Sequence, residues 1–328
     1  MSILQKIRQK SRWSLMQSAF ALGLEGNRLK DRPGLRILVY HGVVPAPVRR
    51  INARFVSTEQ LDAHLGFIRK RCQLISVDQA FSRDYDPQRL AVAVTFDDGY
   101  RNNLQYALPI LQKHEIPATV FVTAARAVGQ DILWADLLDI ASANTNEPVT
   151  IQGVVFRKNR KHEFADQNGK RLKEHCKTNG RPFVEAMMAV FANGRFQEEA
   201  NWADYWKLLD ADELKSLSQA GGITIGGHGT LHQNLDLLPL QEAMADVETG
   251  IRWIESAIGK PVKAFAFPDG AYSPELVDAV AKLGLTQILL TEYLFNEQND
   301  ARLYDRFTIH PFLPTKVLMA EMYKGHYF

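Results

Sequence analysis

Ala91-Val-Ala-Val-Thr-Phe-Asp97-Asp98-Gly-Tyr100 is an apolar, β-rich run that ends abruptly in two carboxylates and a glycine. In parallel α/β folds the C-terminal ends of the strands face the ligand crevice, so Asp97 and Asp98 are predicted to stand where catalytic groups belong. Adjacent residues at a strand end point in different directions. One carboxylate can therefore bind a metal while its neighbour stays free for proton transfer. A solvated Asp-Asp-Gly turn has the same sequence, so the run needs a second motif before it reads as chemistry.

On either side of this run the same unit recurs: a short β-rich apolar stretch, a turn, then an amphipathic stretch. The strand candidates are 36–40, 73–77, 91–95, 118–122, 222–225, 264–267 and 287–290, seven in all, and their alternation with helices predicts a parallel sheet or barrel of the α/β class. Helix starts are well marked. Ser57 and Gln60 have capping-box spacing ahead of Leu61, Leu65 and Ile68, and Ser273-Pro274 supplies an N-cap followed by an N1 proline. The rhythm stops from about 134 to about 200, where Lys/Arg/Asn-rich sequence such as Arg157-Lys-Asn-Arg-Lys-His162 intervenes. This stretch reads as a mostly helical insertion on a barrel loop.

Composition narrows the class. The chain has 328 residues, 46% hydrophobic and 23% charged, which is enough to bury a sizeable core and excludes disorder, collagen and coiled coil as global descriptions. Thirty-nine Lys+Arg against 37 Asp+Glu leave a formal +2, so no whole-chain field argues for nucleic acid. Cys72 and Cys176 are far apart and neither lies in a CxxC pair, which argues for reduced thiols over a disulfide scaffold or a thiolate zinc site.

The second motif is Ile223-Thr-Ile-Gly-Gly-His228-Gly-Thr-Leu-His232, again a strand running into glycines and then two histidines. Four-residue spacing puts both imidazoles on one side of a helical turn. Two histidines with a carboxylate make a borderline donor set suited to zinc, with positions left for water. Together, Thr95-Phe-Asp-Asp-Gly-Tyr100 and Gly226-Gly-His-x-x-x-His232 resemble the polysaccharide deacetylase family, the NodB-homology group of metal-dependent carbohydrate esterases. Supporting matches are Leu38-Val-Tyr-His41-Gly, Ile116-Pro-Ala-Thr-Val-Phe-Val-Thr123 and Ala264-Phe-Ala-Phe-Pro-Asp-Gly-Ala-Tyr272, in the order the family has them, so the resemblance spans about 35–312 apart from the insertion.

The resemblance implies a distorted (β/α)7 barrel that removes N-acetyl, or less often O-acetyl, groups from sugars. It puts the general base on Asp97 and a divalent metal, zinc by donor type, on Asp98, His228 and His232. The metal would polarise the amide carbonyl and activate a water as nucleophile while Asp97 takes its proton. Pro268 and Asp269 lie in the late motif, where a backbone N–H would meet the oxyanion. Tyr100, Tyr272, Trp134 and Trp202 are aromatic candidates for stacking on sugar faces, although a core position suits the two tryptophans better.

Three departures from the family pattern stand out. The residue after the first histidine, usually Ser or Thr, is Gly229, with Thr230 a substitute. The late motif reads Ala266-Phe-Pro-Asp269, as in exopolysaccharide-type members, so the arginine expected to orient the base is missing from it. The general-acid histidine expected in a Leu-x-x-His strand near the C-terminus is also missing. His310 follows Phe307-Thr-Ile without the leucine, whereas Leu38-Val-Tyr-His41 fits at the other end of the chain. A closed barrel makes first and last strands neighbours, so His41 is expected to be the acid, with His310 the alternative.

Residues 1–32 stand apart. Lys6, Arg8, Lys10 and Arg12 precede a mildly apolar stretch from Trp13 to Leu24, too short and too polar to span a bilayer and lacking an Ala-x-Ala cleavage site. This segment is expected to be an amphipathic helix, either packed on the domain 33–328 or contacting a membrane surface through residues 1–24, in a cytoplasmic protein at the inner face of the membrane. The expected substrate is an N-acetylated glycan or lipid-linked sugar. A glycan-binding pseudoenzyme, or the same fold acting on a non-sugar amide, are the alternatives.

Overall fold

The computed structural model describes residues 3–24, 33–192, 200–291 and 300–324. Its centre is a curled, all-parallel sheet. Along it the strands run in the order Leu303–Tyr304, Gln287–Leu289, Ala264–Ala266, Ile223–Gly227, Ala118–Val122, Leu90–Phe96, Gly34–Tyr40, Phe307–Thr308, with Gln73–Leu74 pairing the lower part of Leu90–Phe96. The two ends of this path are joined by Asp305 and Arg306 alone. Two linking residues let Tyr304 and Phe307 lie no more than ~11 Å apart, so the sheet has to bend round until its edges meet. The result is the distorted α/β barrel expected from the sequence. Its first long strand does neighbour its last, Leu38 opposite Phe307 and Val39 opposite Thr308.

Every predicted strand position carries a strand. The expected 73–77 strand stops at Leu74, because Ser76 caps a helix Val77–Ser82 with a Ser76/Gln79 capping box. The pairs Leu303–Tyr304 and Phe307–Thr308, which complete the barrel, are too short for periodicity to mark. Both faces of the sheet are buried, as a parallel sheet requires. Leu35, Ile37, Ala91, Ala93, Phe121, Ala264 and Ala266 form one cluster. The alternate residues Leu38, Tyr40, Val92, Val94 and Phe96 pack in a larger one with Leu61, Leu65, Val247, Val277 and Val280 from the surrounding helices.

Segment 134–192 packs Trp134, Phe156, Phe164, Phe183 and Phe191 into a second core cluster shared with Val44, Ile51, Phe55, Tyr100 and Tyr205. It contains the expected helices, Trp134–Asn144, Leu172–Thr178 and Gly180–Ala192. The segment is mostly helical, as expected, and adds a small antiparallel sheet of Val149–Ile151, Val154–Lys158 and Phe164–Ala165. The signal lay in Val149-Thr-Ile-Gln-Gly-Val-Val-Phe156, where Gln152 and Gly153 both take positive φ (47° and 80°), the backbone of a two-residue hairpin turn.

The N-terminal helix Ile3–Ala21 packs on the domain. Trp13, Met16 and Phe20 meet the main core, and Arg12 Nη2 bonds the buried Glu321 Oε2 of helix Thr315–Lys324 at 2.6 Å. Leu15 and Leu22 remain 72% and 74% exposed. No described helix is long and apolar enough to cross a membrane.

Candidate active site

The C-terminal strand ends deliver His41, Asp97, Asp98, His228 and Asp269 to one end of the barrel. Asp97 N–H donates to Tyr40 O (3.0 Å) and His228 N–H to Val122 O (2.9 Å), so the barrel ladder itself fixes where both motifs leave the sheet. Asp98 and His232 are held in the left-handed region, φ 76° and 51°. Non-glycine residues occupy that region at a cost, and such strain concentrates at functional sites.

Asp98, His228 and His232 are buried, and their ligand-type atoms lie within 4.8 Å of one another. Asp98 Oδ1 is 3.2 Å from His232 Nε2 and 3.5 Å from His228 Nε2. His228 Nδ1 lies 2.7 Å from Ala266 O, which can only accept, so Nδ1 carries the proton and Nε2 turns a lone pair toward Asp98. His232 is anchored through its backbone: Trp134 Nε1–H donates to its carbonyl at 2.9 Å. Neither oxygen of Asp98 accepts an aligned hydrogen bond among the described residues. A buried carboxylate left that way is costly, and a cation satisfies it. The protonation balance agrees. Burial alone would raise Asp98, but Arg54 and His232 hold it well below the usual carboxylate range; burial would lower His232, but Asp98 raises it. The donor set, one carboxylate and two imidazoles, fits a zinc-type divalent ion.

Asp97 is engaged differently. Arg306, 0% exposed, grips it with a two-pronged contact, Nη1–H to Oδ1 and Nη2–H to Oδ2, both 2.7 Å. Arg306 also donates to Leu290 O (2.9 Å) and Thr95 Oγ1 (3.2 Å). Burial would raise the Asp97 carboxyl, yet the Arg306 charge and its hydrogen bonds keep it below its ordinary value. The arginine that the late motif lacks is therefore present. It comes from the Asp305-Arg306 link that closes the barrel, and a charged pair beside two-residue strands carries no periodic signal.

Sequence reasoning missed three further polar residues. Arg54 Nη1 lies 3.3 Å from Asp98 Oδ2 and its Nη2 lies 3.5 Å from Asp136 Oδ1. Burial pushes the Asp136 carboxyl up to about 7, against the pull of Arg54. Asp246 accepts from Thr230 N (2.7 Å) and Leu231 N (3.2 Å), and Thr230 Oγ1 donates to Asp246 O (2.6 Å), pinning the histidine loop to helix Leu240–Ile258. Thr230 thus supplies the hydroxyl that shapes this loop. At Gly229 (φ 70°) a Cβ would come within 2.9 Å of Asp246 Oδ1, so the glycine fits both the turn and the space.

One expectation for a sugar platform changes. Tyr100 is 0% exposed, with its ring edge-on to Phe55 at 4.9 Å and its hydroxyl donating to Asp136 Oδ2 at 2.7 Å, so it offers no open face. Its neighbours, not solvent, claim both ring and hydroxyl. Trp134 is a core residue. Tyr272 is half-buried beside Phe267, and Trp202 packs on Tyr205. Pro268 is buried, and Asp269 (φ 55°) is bonded by Lys177 Nζ at 2.6 Å, which brings helix Leu172–Thr178 to the mouth of the site.

The two histidine candidates separate cleanly. His41, half-buried, feels Arg54, Asp98, Asp97 and Arg306, and burial together with Arg54 lowers its imidazole to about 4. His310 sits one strand over with its ring 6.1 Å from Trp13 of the N-terminal helix, and burial alone lowers it.

A family model described as polysaccharide deacetylase matches residues 84–151 and 184–288, more than half of the chain and including both motifs. The chain belongs to the polysaccharide deacetylase family. The stretch between the two matched blocks lies inside segment 134–192. YxkH of Bacillus subtilis (strain 168), named for the same family, is 32% identical over 92 residues, 27% of this chain and 31% of that protein's length. Among solved structures, the Streptococcus pyogenes deacetylase PplD in complex with acetate is 17% identical, covering 88% of this chain and 97% of that one with a TM-score of 0.57. IcaB from Ammonifex degensii is 19% identical over 88% and 98%, also with a TM-score of 0.57. The de-N-acetylase from Aggregatibacter actinomycetemcomitans is 15% identical over 85% and 96%, with a TM-score of 0.53. At these identities the structures establish the fold.

Proposed function

We propose that the chain is a metal-dependent N-deacetylase of an N-acetylated sugar in bacterial polysaccharide or glycolipid biosynthesis, releasing acetate and a free amine. The observation that carries this reading is the division of the Asp97-Asp98 pair: one carboxylate faces two histidines, and the other is held ionised by a buried arginine. Asp98, His228 and His232 would hold a divalent cation, which would supply Lewis-acid polarisation of the amide carbonyl and lower the pKa of the attacking water.

The remaining work falls to the chain's own groups. Asp97, kept as a carboxylate and aimed by Arg306, takes the proton of the attacking water. His41 is neutral at rest at physiological pH. Negative charge developing on the carbonyl oxygen raises the affinity of His41 for a proton; His41 takes one up from solvent and passes it to the leaving amine, and Asp97 gives the water's proton back to solvent, so the protons balance. The turn at Pro268-Asp269 offers the Asp269 backbone N–H to the oxyanion, and Tyr272 borders the sugar. We assign 33–328 to one deacetylase domain carrying an insertion at about 134–200, and 1–32 to a helical segment whose exposed Leu15 and Leu22, beside Arg8 and Lys10, suit contact with an anionic membrane at the cytoplasmic face.

The test is direct. Purified protein is assayed for metal content and for acetate released from N-acetylglucosamine oligomers and from a lipid-linked N-acetyl sugar. Bound metal with acetate release supports the proposal. Tight glycan binding without turnover would make the chain a pseudoenzyme, and release of a different acid or of ammonia would move it to another amide.

A further inference from the structure

A cleft of about 940 Å³ lies between the 49–53 loop and segment 134–192, and Lys177 is among its lining residues. Lys177 also bonds Asp269, so one lining residue of the cleft reaches the barrel mouth. Its volume exceeds what a single acetamido sugar fills, so it is sized for the units flanking the one that reacts. Its charge is lopsided. Arg49, Arg50, Lys161, Arg171, Lys173 and Lys177 line it, against Asp139, Glu163 and Glu174.

Internal pairing absorbs only part of that excess. Arg171 binds Glu163 and Glu174, and Lys173 binds Asp139. Arg49, Arg50 and Lys161 have no carboxylate within ion-pair distance among the described residues. Arg49 is also preorganised, its guanidinium lying 4.5 Å over the ring of Phe312, which is 47% exposed. An arginine stacked on an open aromatic presents its N–H edge outward, the geometry suited to a carboxylate or phosphate. A low-dielectric wall with one sign of charge concentrates the opposite sign in the cleft. The whole chain carries only +2, so this bias is local.

Resting on the deacetylase reading above, we propose that the substrate is an anionic glycan, whose acetamido sugar enters the barrel while a neighbouring carboxylate or phosphate is held in this cleft by Arg49, Arg50 and Lys161. All three belong to segments outside the two catalytic motifs. Specificity is thereby separated from chemistry, and segment 134–192 supplies one wall of the specificity site.

The test uses the full chain and three probes: N-acetylchitotetraose (neutral), a hyaluronan tetrasaccharide (carboxylates) and UDP-N-acetylglucosamine (phosphates). Binding is read by calorimetry at 50 and 300 mM salt in wild type, in the triple variant R49Q/R50Q/K161Q, and in a control, K70Q/K263Q/K282Q, with the same charge change at exposed positions elsewhere. At least one anionic probe should bind at least tenfold more tightly than the neutral one at low salt. The triple variant should lose that preference, and the control should keep it. Whichever anionic probe wins identifies carboxylate or phosphate as the held group. Equal binding of all three probes, or equal loss in the control, would overturn the proposal. Acetate release is measured alongside: anion preference without any turnover would refute the deacetylase reading while leaving the cleft assignment standing.

Discussion

Arg306→Met removes the guanidinium that holds Asp97 and leaves a fully buried carboxylate without its partner. With charge centres about 4 Å apart and an effective dielectric of about 20, the direct attraction lost is about 4 kcal/mol. Breaking a buried pair from one side typically costs about 3–5 kcal/mol, since the remaining charge is uncompensated. The pH dependence identifies the cause. In the wild type the Asp97 carboxyl lies below its ordinary value, so its stabilising contribution is present above the unfolded pKa and is lost as pH falls through the folded one. In the variant burial acts unopposed by Arg306 and the sign reverses: the folded state takes up a proton more readily than the unfolded chain, so acid relieves the strain. Urea unfolding of metal-free protein between pH 7.5 and pH 4.5 should therefore show a deficit of about 3–5 kcal/mol at the alkaline end that shrinks toward the acid end. kcat should fall by about 10²-fold or more, because a protonated, misaimed Asp97 is no base. Arg306→Lys keeps a charge without the fork and should lie between. A deficit that stays constant across the pH range would refute the argument, since it would place Arg306's contribution in packing against Phe121 and Leu290.

The other predictions concern single side chains. Asp98→Ala, His228→Ala and His232→Ala should each abolish metal binding, read by elemental analysis after gel filtration; full occupancy in any of them removes that residue from the ligand set. Asp97→Asn should keep the metal and lose about 10²–10⁴ in kcat, because an amide cannot accept the proton, and a near-normal rate would move the base elsewhere. His41→Ala should show a similar loss with metal retained, whereas His310→Ala should change only stability through its contact with Trp13; the reverse pattern would hand the acid role to His310. Trp134→Phe deletes the donor to His232 O, and its metal affinity should drop about tenfold with kcat at saturating metal little changed. Unchanged affinity would show that the loop holds His232 without that bond.

What could be read in the sequence follows a physical rule. The strands Leu90–Phe96, Ala118–Val122 and Ile223–Gly227 are continuous apolar runs, buried on both faces, and such runs announce themselves. Asp97, Asp98, His228 and His232 were legible because each follows such a run directly, so strand position and chemistry coincide in one short motif. Arg54, Asp136 and Arg306 were not. Each reaches the site from a different part of the chain: Arg54 pairs with Asp98 and Asp136, 44 and 82 residues away, and Arg306 with Asp97, 209 residues away, distances no local pattern encodes. Tyr100 was misread for a related reason. Adjacent to the catalytic pair it looks like a sugar platform, but its neighbours Phe55 and Asp136 are brought to it only by tertiary structure.

Two adjacent carboxylates at a strand end start with the same intrinsic acidity and nearly the same environment, so the reaction requires something that distinguishes them. The structure does this with two arginines of different reach. Arg306 takes one lone pair on each oxygen of Asp97, which fixes its orientation and leaves a second lone pair for the proton of the attacking water. Arg54 approaches Asp98 only at Oδ2 and off the hydrogen-bond axis, because its other nitrogens are shared among Tyr100, Asp136 and Asn52. Oδ1 of Asp98 is thereby left to the histidines. Swapping the two carboxylate roles would require exchanging these guanidinium geometries as well as the residues. The doubled aspartate is thus one motif in sequence and two separate sites in three dimensions, and each site is defined by an arginine outside the motif.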